Sequence, residues 1–272
     1  MVTKYVKKSV KPLYKYIQYW LYRSFLNKNH VLHHKYLGKR IFILGDGASL
    51  NDINLRYLHD EYTMGCNYIM VHKDFAQLNL DFYALASSHR SLTRLNDPGR
   101  QPPPTGNFEK ALYLLSENTI GTHTQFFFDV SVKKMIEKRF FPNHEIFYMM
   151  SGNDLRAGEP IQLDLTQPLS MMASSLYFMI ALALSMGFTE IYLCGCGYTY
   201  SPRQVGHFYD DWTNKEETEV DYKNWILKEA AQQNNAIIYN VVPDGFQSPV
   251  YQPVHVSKLE EILARKGAQK RY

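Results

Sequence analysis

Residues 170–188, "SMMASSLYFMIALALSMGF", are apolar on almost every side and run straight into a β-branched and aromatic segment, "EIYLCGC" (190–196). Nineteen apolar-rich residues suffice to cross a membrane. This stretch, however, carries Ser170, Ser174, Ser175 and Ser185 and abuts a strand. A helix without a polar face that feeds a strand belongs in the middle of a layered structure, covered by a sheet and by neighbouring helices. That single element restricts the chain to an α/β architecture.

The flanking segments fit the same plan. "KRIFILG" (39–45), "YTMGCNYIM" (62–70), "LDFYALASS" (80–88), "HEIFYMMSG" (144–152) and "AIIYNVV" (236–242) read as strands. "KALYLLS" (110–116) reads as a further short strand and "TQFFFDVSVKKMIEKRF" (124–140) as a helix. "EVDYKNWILKEAAQQNN" (219–235) and "VSKLEEILARK" (256–266) have helical spacing. Alternating strands and helices predict a Rossmann-like, mainly parallel sheet with helices on both faces. Ligands of such sheets lie beyond the carboxyl ends of the strands, so the loops after Leu44, Cys66, Ala86 and Leu193 are expected to line one site. "RLNDPGRQPPPTGN" (94–107) is rich in proline and glycine and reads as a loop or lid.

Charge divides the chain in two. Residues 1–40 hold ten Lys or Arg and no acid, a net +10 within a total of +4, so the other 232 residues carry −6. In "KPLYKYIQYWLYRSFLNK", Leu13, Ile17, Trp20, Leu21 and Phe25 recur at helical spacing among tyrosines and lysines. Residues 1–38 are therefore expected to form a basic amphipathic helix. It would lie on an anionic membrane surface or pack against the body of the chain or a second subunit. The body, residues 39–272, is expected to be the α/β domain. Its acidity and lack of a nucleic-acid motif argue against a nucleic-acid partner. Three cysteines, Cys66, Cys194 and Cys196, and no visible cleavable signal peptide point to a reducing, cytoplasmic setting. With the basic helix, this places the chain at the inner face of the membrane. Cys194 and Cys196 share a strand face in this reading and are expected to be ordinary buried thiols, since no zinc-spaced partners lie nearby.

Chemistry concentrates at "ILGDGASL" (43–50). Gly45 and Gly47 make a tight turn after a strand, and the amides that follow, with Ser49 near a helix start, suit an anion. The third glycine of a dinucleotide fingerprint is replaced by Leu50, and Asn67 stands where the ribose-binding acid would be. No Gly-Lys-Ser/Thr follows, so a Walker-type phosphate loop is excluded as well.

Three segments together, "ILGDGASLNDIN" with "GCN" at 65–67, "SSLYFMIALALSMGFTEIYLCGCGYTY" (174–200) and "GH" at 206–207, carry a family likeness. The chain resembles the bacterial sialyltransferases of glycosyltransferase family 42, and also the related motility-accessory-factor glycosyltransferases and hydroxymethylpterin pyrophosphokinase-like domains. The resemblance spans roughly residues 40–240 and is patchy between 90 and 165. It implies an enzyme that transfers a sialic-acid-like or Kdo-like sugar, with inversion, from a CMP-activated donor to a glycan or lipid-linked acceptor.

It further implies that Gly45, Asp46, Gly47, Ser49 and Asn67 contact the nucleotide, with Asp46 in place of the family's Asn. Ser174 and Ser175 stand for its Thr-Ser pair, and His207 for its catalytic histidine. A histidine near neutral pH is an efficient general base, and Asp210 or Asp211 is placed to orient it. His89 is a second histidine at a strand end. Hydroxyls of Tyr198, Tyr200 or Tyr209 are candidates to meet the departing phosphate, and Arg203 to bind a sugar carboxylate. No metal is required, and no metal ligands are assigned; Asp46 beside a phosphate leaves Mg²⁺ open. Two other readings compete. A pterin-type pyrophosphokinase needs paired carboxylates for two metals, and "ALASSH" lacks them at the third strand end. A non-catalytic nucleotide-binding domain would bind without turnover.

Overall fold

The computed structural model describes residues 16–86, 108–136, 140–152, 160–170 and 174–266. Eight strands form one sheet: β1 (Arg40–Leu44), β2 (Tyr62–Cys66), β3 (Phe82–Leu85), β4 (Gln125–Asp129), β5 (Ile146–Met149), β6 (Glu190–Cys194), β9 (Ile237–Val242) and β10 (Gln252–His255). A short hairpin, β7 (Arg203–Val205) and β8 (Asn214–Glu216), stands apart. The sheet order is β10-β9-β6-β1-β2-β3-β4-β5, and every neighbouring pair is parallel. The expected Rossmann-like α/β architecture is present, with a short helix preceding it at residues 16–26.

The chain starts in the centre at β1, steps outward to β5, then returns to place β6 on the other side of β1. The crossover direction reverses between β1 and β6, and a crevice opens there at the strands' carboxyl ends. Both faces are covered. Phe42, Leu44, Tyr83, Phe126, Phe128 and Tyr192 pack into one apolar layer. Ile41, Ile43, Phe82, Phe127, Ile191 and Leu193 join the Ser175–Ser185 helix in the other. That helix is buried from Tyr177 to Ser185, as its lack of a polar face requires.

Two elements differ from the sequence reading. Residues Phe108–Asn118 are a helix, not a strand. Ala111, Leu112 and Leu115 are fully buried while Tyr113 is 61% exposed, a helical face hidden within a short apolar run. Gln125–Asp129 is strand β4, not the start of a helix. Phe126 and Phe128 point to one layer and Phe127 to the other, so a continuous aromatic run serves both sides of a buried parallel strand. Among the described residues, the 3-10 turn Val130–Val132 and the short Lys133–Ile136 helix are what remains of the predicted one. The 94–107 loop, His89 and Leu13 lie outside the described residues.

Cys194 and Cys196 do not share a face. β6 ends at Cys194, Gly195 turns the chain at φ +67°, and the two thiols enter opposite layers. All three cysteines are free and buried. Burial pushes the Cys196 thiol up to about 12 and those of Cys66 and Cys194 well above the usual range, so they stay protonated and unreactive.

Candidate active site

The two loops at the β1/β6 reversal interlock through their backbones. Gly45 N–H donates to Cys194 C=O and Gly47 N–H to Gly195 C=O, each at 2.8 Å. A Cβ on Gly45 would lie 2.6 Å from the Gly195 carbonyl oxygen, and one on Gly47 would lie 2.5 Å from it. The glycines are thus required by contact between the β1 and β6 turns. This alters the role expected of the turn: the amides of Gly45, Gly47 and Ala48 donate to protein carbonyls, and the cradle for an anion is not built from them. Gly47→Ala should lower stability by about 2–3 kcal/mol, because neither backbone can yield without shifting a strand. Thermal melting measures that loss, and nucleotide affinity should fall with it.

The same turn captures the histidine loop. Gly47 and His207 form an isolated antiparallel bridge, Phe208 N–H donates to Asp46 C=O at 3.0 Å, and Asn51 Nδ2 donates to Phe208 C=O at 2.7 Å. His207 therefore sits beside the glycine turn although 160 positions in sequence separate it from Gly47. Its Nδ1 lies 2.7 Å from Asp210 Oδ2, which also accepts the His207 backbone N–H at 2.9 Å. A carboxylate that only accepts places the proton on Nδ1 and leaves Nε2 with its lone pair. Tyr209 stacks on the imidazole at 4.9 Å and 3°. Its phenol is pushed up by burial and by the Asp46 and Asp210 charges, so it stays neutral.

His207 and the glycine turn line a cavity of about 550 Å³, within the range of small-molecule sites, whereas Tyr209 and Asp210 contact the imidazole without lining it. Gly45, Asp46, Gly47, Asn67, Ser174, Ser175, Tyr198 and His207 all face it. Asn67 adopts a left-handed conformation (φ +47°), with its carbonyl bonded by Tyr83 OH at 2.8 Å. Its Nδ2 donates to Asp46 Oδ2 at 2.9 Å, and its Oδ1 accepts from Ser175 Oγ at 3.3 Å. Ser174 N-caps the Ser175–Ser185 helix, whose first intrahelical bond is Phe178 N–H to Ser174 C=O. Ser174, Ser175, Leu176 and Tyr177, the start of that helix, line the cavity, and a helix N-terminus suits an anion.

Ser49 and Tyr200 are placed elsewhere. Both are essentially inaccessible; their hydroxyls bond each other at 3.0 Å, and Tyr200 OH donates to Val241 C=O at 2.8 Å. They brace the turn from behind. Sequence reasoning did not find Tyr177, which lines the cavity from the first turn of the Ser175–Ser185 helix, or Glu219, Asp221, Lys223 and Asn224, which line it at and before the start of the Lys223–Gln233 helix. The polar run "DYKN" opening that helix was the available signal. Arg203 lies at the rim, its guanidinium 4.6 Å over the Tyr198 ring and Nη1 donating to Thr218 Oγ1 at 3.1 Å. Among the described residues no three His, Cys, Asp or Glu groups converge as a metal site would require.

Behind the histidine loop, His72 is buried and meets Phe208 edge to face at 5.2 Å. Its Nδ1 accepts Asp74 N–H at 3.2 Å. Burial lowers its pKa from 6.5, against the opposing pull of Asp74, with Lys73 lowering it further. The unfolded chain thus binds more protons than the native one below about pH 6.5, and stability is lost as pH falls toward the folded pKa. Melting temperature should decline between about pH 7 and pH 5, and His72→Gln should flatten that decline.

No family model matches the sequence, and no curated protein matches it either. Solved structures do show a likeness. One is the sialyltransferase CstII from Campylobacter jejuni in complex with a substrate analogue, cytidine-5'-monophosphate. It aligns at 14% identity over 81% of this chain and 86% of that one, with a TM-score of 0.43. Another is the monofunctional alpha-2,3-sialyltransferase Cst-I from the same organism, at 17% identity over 80% and 81% of the two chains, with a TM-score of 0.42.

Proposed function

We propose that the chain is an inverting glycosyltransferase. It moves a sialic-acid-like or Kdo-like sugar from a CMP-activated donor to the hydroxyl of a glycan or lipid-linked acceptor. The observation that carries this reading is the backbone bridge between Gly47 and His207. It holds His207 beside the glycine turn, on the cavity that the start of the Ser175–Ser185 helix also lines, and this supports His207 as the base.

Transfer needs a proton acceptor on one side of the anomeric carbon and a sink for negative charge on the other. His207 Nε2 takes the acceptor's hydroxyl proton while Asp210 stabilises the imidazolium that forms. The acceptor oxygen bonds to the anomeric carbon as its bond to the phosphate oxygen breaks, and that electron pair leaves on CMP. Ser174 and Ser175 hydroxyls and the free amides of the helix start receive the phosphate charge, with Lys223 and Arg203 offsetting the donor's negative charge. Asp46 accepts a hydrogen bond from Asn67 Nδ2, which offsets part of its charge beside the donor phosphate. No step is assigned to a metal.

A thermal-shift comparison of CMP, UDP, GDP and ATP, each with and without Mg²⁺, tests the reading. At about 100 times its dissociation constant CMP should add roughly 2.7 kcal/mol and raise the melting temperature by about 5 °C. Stabilisation by another nucleotide and not by CMP would overturn the donor assignment.

A further inference from the structure

The helix at residues 16–26 carries apolar side chains on two sides. One side anchors it: Tyr19 and Tyr22 pack on the core, Leu26 is fully buried, and Phe25 meets Tyr148 edge to face at 6.4 Å. Just beyond, Asn29 Nδ2 donates to the carbonyls of Tyr148 and Leu165, both at 2.8 Å, and Leu32 is fully buried. The helix is thus locked to the body at its carboxyl end. The other side is turned outward. Ile17 is 48% exposed, Trp20 52% and Leu21 69%, with Tyr16 beside them. The stripe expected from sequence is split: Phe25 joins the packed side, and Ile17, Trp20 and Leu21 form a separate outer ridge.

We propose that this outer ridge seats the protein on a membrane surface rich in anionic lipid. The ridge has the composition of an interfacial helix, with a Trp and a Tyr among aliphatic side chains. A cation borders it: the Arg23 guanidinium lies 5.0 Å from the Trp20 ring centroid. Such a pair places a ring at headgroup level and a charge at lipid phosphate.

Residues 1–40 carry +10 with no acid, while the remainder carries −6, so an anionic plane attracts this end and repels the rest. A second copy of the chain fits less well, because a twofold contact here would bring two such segments of like charge together. A nucleic-acid strand also fits less well. Tyr16 and Trp20 meet edge to face at 69° and offer no parallel platform for bases. The proposal is independent of the transferase reading.

The test is sedimentation of the full chain with lipid vesicles. Vesicles with about one quarter phosphatidylglycerol should bind at least about tenfold more tightly than pure phosphatidylcholine, and roughly 0.5 M salt should remove most of the difference. Ile17→Glu with Leu21→Glu should abolish binding and leave the melting temperature unchanged, since neither side chain is in the core. In a Trp212→Phe, Trp225→Phe background, Trp20 is the only tryptophan; its emission should shift to the blue on binding and be quenched by brominated acyl chains. Equal affinity for both vesicles, binding retained by the double glutamate variant, or an unshifted Trp20 would each overturn the proposal. So would a concentration-dependent dimer that Leu21→Glu dissociates in the absence of any vesicle binding.

Discussion

His207→Ala is expected to reduce transfer by about 10²–10⁴-fold, the usual contribution of a positioned general base. Nucleotide-induced stabilisation should persist, because the anion end of the cavity is built by Ser174, Ser175 and the helix they begin, not by the imidazole. Asp210→Asn offers the finer measurement. Its amide can still meet the ring, but it no longer holds the proton on Nδ1 as a carboxylate does. Turnover should fall by at least about tenfold with little change in donor KM, since the loss concerns the transition state and not donor binding. Release of CMP with acceptor present, followed by chromatography, measures both variants. If His207→Ala retains full turnover while CMP still stabilises the protein, another group is the base. If neither variant binds CMP, the loop is structural.

The legible part of this protein was whatever repeats or is built from neighbours in sequence. The unbroken apolar character of 175–185 and the β-branched strands β1, β6 and β9 foretold a two-faced parallel sheet, and that foretold where the crevice lies. The strand of three phenylalanines, Phe126 to Phe128, and the helix holding Ala111, Leu112 and Leu115 were exchanged in kind. Short apolar runs have no decisive period, and only the sheet edge they join resolves them.

At the site, His207, Asn67, Ser174 and Ser175 were named together through the family resemblance, and the structure brings them to one cavity. The glycine turn was found but its work was misjudged. Its Gly45 and Gly47 amides are spent on Cys194 and Gly195 at the end of β6 and its Ala48 amide on Gly206, pairings between residues about 150 positions apart that no local pattern encodes. Tyr200 and Ser49 looked like cavity hydroxyls for the same reason; each satisfies the other in the interior. Asp221, Lys223 and Asn224 were missed because they become neighbours of the turn only when the Lys223–Gln233 helix docks, and Tyr177 because it stands in the apolar run of the Ser175–Ser185 helix.

Arg40→Met is expected to lower stability by about 3–5 kcal/mol, the largest loss anticipated for a single substitution. Arg40 opens β1 and Glu61 precedes β2; their side chains are 2% and 4% exposed. The contact is bidentate, with Nε 2.7 Å from Oε2 and Nη2 on Oε1. Removing one partner leaves a carboxylate in an apolar layer without its counter-ion, and its desolvation cost is no longer offset. Arg40→Met combined with Glu61→Leu should recover most of the loss, since an apolar pair of similar volume needs no such compensation. Denaturant unfolding of the two single variants and the double variant completes the cycle, and the coupling should exceed about 2 kcal/mol. Near-additive losses would mean that the pair does not act as a unit. The pair lies at the amino ends of the strands, and the cavity lies beyond their carboxyl ends. The double variant should therefore keep the wild-type response to CMP at temperatures where it is folded. A loss of that response would mean that the β1/β2 register set at Arg40 and Glu61 is what positions the Gly45–Gly47 turn against Asn67.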